Sequence, residues 1–264
     1  MTKEHVIQSN AFEAAARIGF VARGVVYGLI GAFAVALAVG AGGKATSQQG
    51  ALETVAHQPL GHALVVAIAV GLGGYALWRV VRASLGRGPE DGGDTLIDRV
   101  GGFGSGIFYA FLCVVAVEVA IGSSHGNGAV SHQTAGVLGW PLGREIVTVA
   151  GVVLVVVGLY QGWRGLSRDF LDDAKVGKMS RRMRRFLVGI GVVGHVSRMV
   201  VFGLVGSFLI KAAVEYDPRT AVGIGGALSK LLHQPAGNAL LGVVAAGLLA
   251  FGIFSMTDAR YHRL

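Results

Sequence analysis

A three-point signature occurs three times in this chain. Arg23, Tyr27 and Pro59 recur as Ser105, Tyr109 and Pro141, each 82 residues on, and again as Arg198, Phe202 and Pro235, a further 93 or 94 residues on. Each copy starts inside one long apolar run and ends just before another. Internal repetition constrains a fold more than any single motif, because each copy is one supersecondary unit that must stack on its neighbours to bury its apolar face. The unit here is two apolar helices joined by a loop. The expected fold class is therefore all-α: an integral membrane six-helix bundle built from three parallel two-helix hairpin repeats with pseudo-threefold symmetry.

Composition places that unit in lipid. The chain has 264 residues, 53% of them hydrophobic and 14% charged, with a mean hydropathy of +0.61. A soluble domain carries about 25% charge. Forty-three glycines would weaken helices in water, but in a membrane they let helices approach closely. The single cysteine, Cys113, excludes an internal disulfide.

Runs of about 20 apolar residues suffice to cross a bilayer. Six are expected, at 18–41, 61–82, 100–122, 143–166, 188–214 and 238–258. The first is longer than a signal-peptide core and is half of repeat one, so cleavage is not expected. The resulting plan is an N-terminal segment 1–17, repeat one at 18–82, repeat two at 100–166, a basic loop 167–187, repeat three at 188–258 and a tail 259–264. The termini, the two inter-repeat loops and the adjoining helix ends carry 18 of the 23 Lys and Arg residues. By the positive-inside rule, both termini are expected in the cytoplasm and the protein in the plasma (inner) membrane. The net charge of +8 is thus a topology signal, and no nucleic-acid partner is expected. Each hairpin enters and leaves from one side, so the repeats are parallel rather than inverted.

The three outer loops read SQQGALETVAHQPLG, GAVSHQTAGVLGWPLG and GGALSKLLHQPAG. Short helices such as 48–57 and 225–233 are expected there, lying at the interface over the outer ends of the spans. The proline after each should stop the short helix and suit the first turn of the next. His57 and His233 are repeat equivalents, and His125 and His132 lie in the second loop, but Gly139 holds the matching position. No metal site or cofactor is expected.

The inner loop SRDFLDDAKVGKMSRRMRRFL concentrates Lys175, Lys178, Arg181, Arg182, Arg184 and Arg185. A basic amphipathic stretch beside a span suits an interfacial helix on anionic lipid, a role that overlaps with simple topology anchoring.

Charge inside a membrane is the first place to seek function. Arg23 and Arg198 are repeat equivalents, with Ser105 between them. Such an arginine can snorkel to headgroups or donate to a carbonyl or carboxylate on a neighbouring helix. Structural anchoring is the favoured reading, with an anion or substrate site as the sharper one. Glu118 and Lys211 also share one slot, 13 residues past the signature position, with Ala36 in repeat one. They are expected to pair near the outer ends of their spans. Glu118 is the only acid well within an expected span. Trp78-Arg79 and Trp163-Arg164 end the second helix of repeats one and two, and are expected at the inner interface as belt and snorkelling pairs. Repeat three has Phe254-Ser255 there.

The signature GFVARGVVYGLIG, repeated as GHVSRMVVFGLVG, and the recurring HQPLG, WPLG and HQPAG resemble the bacterial membrane family catalogued as domain of unknown function 1206. The resemblance spans roughly 15–264. It implies three two-helix repeats, six spans and an arginine at the Arg23, Ser105 and Arg198 positions, from which Ser105 departs. It implies no activity. The chain has no Walker loop, HExxH or nucleophile elbow. A non-enzymatic structural or accessory subunit of a membrane system is therefore expected, with membrane lipids and an unidentified membrane protein as partners. The rival is a transporter or channel with a path near the pseudo-threefold axis.

Overall fold

The computed structural model describes residues 10–41, 48–58, 61–85, 96–122, 129–171 and 179–261. Among the described residues the regular structure is entirely helical. Six helices are long and apolar enough to span a bilayer: α1 (Asn10–Ala38), α3 (Gly61–Leu85), α4 (Leu96–Ala120), α6 (Gly143–Ser167), α7 (Arg181–Glu215) and α9 (Gly237–Tyr261). Three short helices, α2 (Gln48–Ala56), α5 (Ala129–Leu138) and α8 (Ile224–Leu232), fall in the three loops where the repeat places them. The chain is a multi-pass membrane protein made of three copies of long helix, short helix, long helix.

Two of the prolines stand differently from expectation, and Pro59 lies outside the described residues. Pro141 and Pro235 stand in four-residue turns ahead of α6 and α9, outside their first turns. Gly143 N–H donates to Trp140 O at 2.9 Å, and Gly237 N–H to Gln234 O at 2.8 Å. Gly61 N–H makes the same bond to Gln58 O at 2.8 Å. Leu142 (φ 63°) and Ala236 (φ 58°) follow their prolines in the left-handed region. That is type II turn geometry, with proline at its preferred second position and a strained non-glycine at the third. The glycine closing each turn is needed for space. A Cβ at Gly61, Gly143 or Gly237 would collide with the carbonyl oxygen of Val55, Val137 or Leu232, at the end of the preceding short helix.

The described residues form two compact units. One comprises Met1–Val25, Leu52–Ser123 and Ser255–Leu264, the other Val26–Ala51 and Ser124–Phe254. The same helix-pairing rule operates in each: the first long helix of a repeat packs on the second long helix of another. In the first unit α4 lies on α3, where the Cys113 thiol donates to Ala69 O at 3.2 Å. In the second unit α7 lies on α6 and α1 on α9. A Cβ at Gly206 would stand 2.6 Å from Gly151 O, and one at Gly31 would stand 2.7 Å from the Leu249 nitrogen. Gly31, Cys113 and Gly206 occupy one repeat slot. A small side chain there sets the closeness of each crossing, as small residues do where lipid supplies no hydrophobic drive.

The basic stretch also differs from expectation. α7 runs unbroken for 35 residues from Arg181, about 52 Å at 1.5 Å per residue against a hydrocarbon core of about 30 Å. Arg181, Arg182, Arg184 and Arg185 are exposed on its first turns. They extend the span helix rather than forming a separate helix. Lys175 and Lys178 lie outside the described residues.

Candidate functional site

Arg23 and Arg198 are both buried, at 8% and 6% exposure. Each belongs to one of the two units, and the two environments differ.

Arg23 is almost completely partnered. Its Nε donates to Ser255 Oγ at 2.7 Å and its Nη1 to the Tyr75 hydroxyl at 2.8 Å. Nη2 lies 3.7 Å from Asp258 Oδ2. The Ser255 hydroxyl passes its own proton to Phe20 O at 2.8 Å, so it both accepts and donates. The guanidinium also sits over the Phe20 and Tyr75 rings, at 4.8 and 5.2 Å. Tyr109 stands edge-on to Tyr75, with ring centroids 4.6 Å apart. One turn away, Arg17 Nη1 donates to Ala259 O at 2.6 Å, tying α1 to the end of α9.

Asp258 corrects the sequence reading. It is 6% exposed, so Glu118 is not the only acid within the apolar part of the chain. A carboxylate at this depth is tolerable because a guanidinium neutralises it, and the other partners lie three residues before it and across the helix crossing.

Arg198 has no such acid among the described residues. The Gln161 carboxamide is assigned with its oxygen toward the guanidinium, because the opposite orientation would set N–H groups against each other; so placed, it accepts from Nη1 at 3.2 Å and Nη2 at 3.3 Å. Three rings cover the charge: Phe251 at 4.4 Å, Phe202 at 5.0 Å and Tyr27 at 5.1 Å. Nε is buried and meets no acceptor. Beside it His195 is 4% exposed, pairs Nδ1 with Gly191 O at 2.7 Å and stacks on Phe170 at 5.2 Å.

The partners follow a rule that sequence reasoning missed. Arg79, Gln161 and Ser255 share one slot in the second helices, each 20 residues past the repeat proline, as Arg23, Ser105 and Arg198 do in the first. The slots meet across helix crossings. Arg23 bonds Ser255, and Arg79 Nε donates to Ser105 Oγ at 3.1 Å. Ser105, Gln161 and Ser255, which break the two series, are thus complements of arginines in the other, with Gln161 meeting Arg198 at the α6–α7 crossing. Arg164 stands three residues past Gln161, in the slot that holds Arg82 in repeat one and Asp258 in repeat three. Aligning the second helices on Pro59, Pro141 and Pro235 was the signal available, and it sets Trp163-Arg164 three residues out of register with Trp78-Arg79 and Phe254-Ser255.

One further expectation changes. Trp78 is 2% exposed and packs on Phe20 and Tyr75 at 5.6 and 5.4 Å, so it is core rather than belt, whereas Trp163 is 68% exposed. Lys211 makes an ion pair within α7, to Glu215 at 3.7 Å, with both side chains half-exposed, a partner that the repeat alignment did not point to. An acid one turn away in an exposed position spares the lysine any desolvation. Glu118 is half-buried near the end of α4.

Arg181, Arg182, Arg184 and Arg185 crowd a helix N-terminus that has no acid in its first turn. Ser180 Oγ caps it, accepting from Met183 N–H at 3.2 Å. Cations oppose the macrodipole at that end, so helix stability does not explain them.

No solved structure matches the chain. The "Uncharacterized protein YxxB" of Bacillus subtilis (strain 168) is 33% identical over 253 residues, covering 94% of this chain and 90% of that protein. The family described as Domain of Unknown Function (DUF1206) matches three times, at 18–86, 100–168 and 193–262. Those matches cover most of the sequence, one for each pair of long helices, and the chain belongs to that family.

Proposed function

We propose that the protein is a non-enzymatic component of the plasma membrane, a structural or accessory subunit of a membrane system, with both termini in the cytoplasm. The observation that carries this reading is how Arg23 is used. The strongest intramembrane polar cluster joins the protein's own helices and leaves its charge neutralised by Asp258. Polar groups consumed in this way favour a scaffold over a path. Membrane lipid, anionic at Arg181, Arg182, Arg184 and Arg185, and a second membrane protein are the partners. Nucleic acid is not among them, and the scheme uses no cofactor.

Native mass spectrometry after purification in mild detergent tests this reading alongside flux measurements in proteoliposomes. Co-purification of one membrane protein at fixed stoichiometry, with no protein-dependent flux, is the expected result. A saturable ion flux abolished by Glu118→Gln or Lys211→Met would replace the scaffold with the transporter. Topology is tested separately by single-cysteine labelling in a Cys113→Ser background. A cysteine at position 130 should react from outside only.

A further inference from the structure

We propose that Arg198, with Gln161 and Arg164, binds a phosphate oxyanion at the α6–α7 crossing. The proposal goes beyond the scaffold role and does not depend on it.

The repeat shows what neutralises a guanidinium in this slot. At Arg23 the neighbours are Ser255, which accepts, and Asp258, which carries the opposite charge. The matching residues around Arg198 are Gln161, which accepts, and Arg164, which stands where Asp258 stands at the other crossing. The position of Phe20 is taken by His195. One crossing has thus exchanged an acid, a hydroxyl and a phenyl ring for a second guanidinium, an amide and an imidazole.

The backbone brings these groups to one place. A Cβ at Gly165 would fall 2.7 Å from the His195 Cβ, and one at Gly158 would fall 3.2 Å from the Phe202 Cβ. The stretch of α6 carrying Gln161 and Arg164 is therefore laid directly on the stretch of α7 carrying His195 and Arg198. Gln161 and Arg164 are three residues apart and share a flank of α6. Arg164 is half-buried there.

A charge in the bilayer with no counter-ion is costly. The rings over Arg198 offset part of that. They accept no hydrogen bond in the guanidinium plane, and Nε is left with none. A planar fork with an unspent N–H and a second guanidinium make a donor set suited to a tetrahedral oxyanion. The phosphate comes either from the headgroup of an anionic phospholipid or from a soluble anion.

Native mass spectra of the full chain in uncharged detergent, titrated with phosphatidylglycerol and separately with phosphatidylcholine, read the first source. Unfolding midpoints in inorganic phosphate against chloride at matched ionic strength read the second. For a lipid source, one phosphatidylglycerol should persist at high salt, and Arg198→Gln and Arg164→Gln should each lower its occupancy about tenfold. Neutralising Arg181, Arg182, Arg184 and Arg185 together should leave that tightly held lipid in place. For a soluble source, phosphate should raise the midpoint of the wild type but not of Arg164→Gln, with no preference for phosphatidylglycerol. Arg164→Gln decides the matter if Arg198→Gln does not fold. A folded Arg164→Gln that binds phosphatidylglycerol and phosphate as the wild type does overturns the proposal, as does a wild type that binds neither.

Discussion

Arg23 and Arg198 occupy one repeat slot and are equally buried, yet the first is held by an ion pair and the second by an amide and three rings. Chain connectivity accounts for the difference. Arg23 joins α1 to α9 across 232 residues of sequence. Nothing short ties those helices, so their contact must itself offset the entropy of closing a long loop. Arg198 joins α7 to α6, which is the preceding long helix and is already held close by the chain. The ion pair, the Ser255 relay and the Arg17 bond to Ala259 O all sit at the contact with the greatest sequence separation. The α6–α7 crossing, relieved of that demand, carries two arginines instead.

The largest test breaks the first site. Asp258→Asn should leave Arg23 charged and unneutralised, lowering stability in detergent by about 3–5 kcal/mol. Arg23→Met combined with Asp258→Leu should recover most of the loss, since a buried pair is often replaceable by apolar packing. A double variant as unstable as Asp258→Asn would show that the hydrogen bonds matter more than the charge. A smaller effect is expected at the second site. Gln161→Ala removes the acceptor of two bonds to a guanidinium, which should cost about 1.5–3 kcal/mol. Added phosphate or anionic lipid should shrink that loss. The same additives should not rescue Asp258→Asn, and rescue of both would erase the distinction between the sites.

The hairpin plan was legible because it rests on long signals. Six apolar runs and three copies of one signature survive errors of several residues, and the short helices followed from the repeated loops. The neutralisation of Arg23 was not legible. Asp258 stands at the last residue of an expected span, where an acid reads as a boundary rather than as a partner. Only the length of α9, which continues to Tyr261, draws it inside. The Glu215 partner of Lys211 was hidden for a related reason. Sharing a repeat slot with Glu118 fixes equivalent depth, but Lys211 is close enough to the end of α7 to reach Glu215 in an exposed position. Repeat alignment predicts which positions correspond. It does not predict which neighbour a long, flexible side chain selects.

The smallest effects come from the two serines and bear on why each repeat departs from arginine where it does. Ser255 accepts from Arg23 at 2.7 Å, donates to Phe20 O at 2.8 Å and is fully buried. Ser105 accepts from Arg79 at 3.1 Å at a half-buried crossing. Ser255→Ala removes the acceptor from a buried charge and a second donor to the helical carbonyl of Phe20, so about 1.5–2 kcal/mol should be lost. Ser105→Ala leaves Arg79 near the helix end, where its long side chain can turn to water, so about 0.5 kcal/mol is expected. Denaturation of both variants under one set of conditions gives the ratio directly. Equal losses would mean that the two arginine–serine pairs are interchangeable products of the repeat. They would also mean that the demand for a strong bond does not follow sequence separation. A threefold or larger excess for Ser255→Ala would place that demand where the first and last long helices meet.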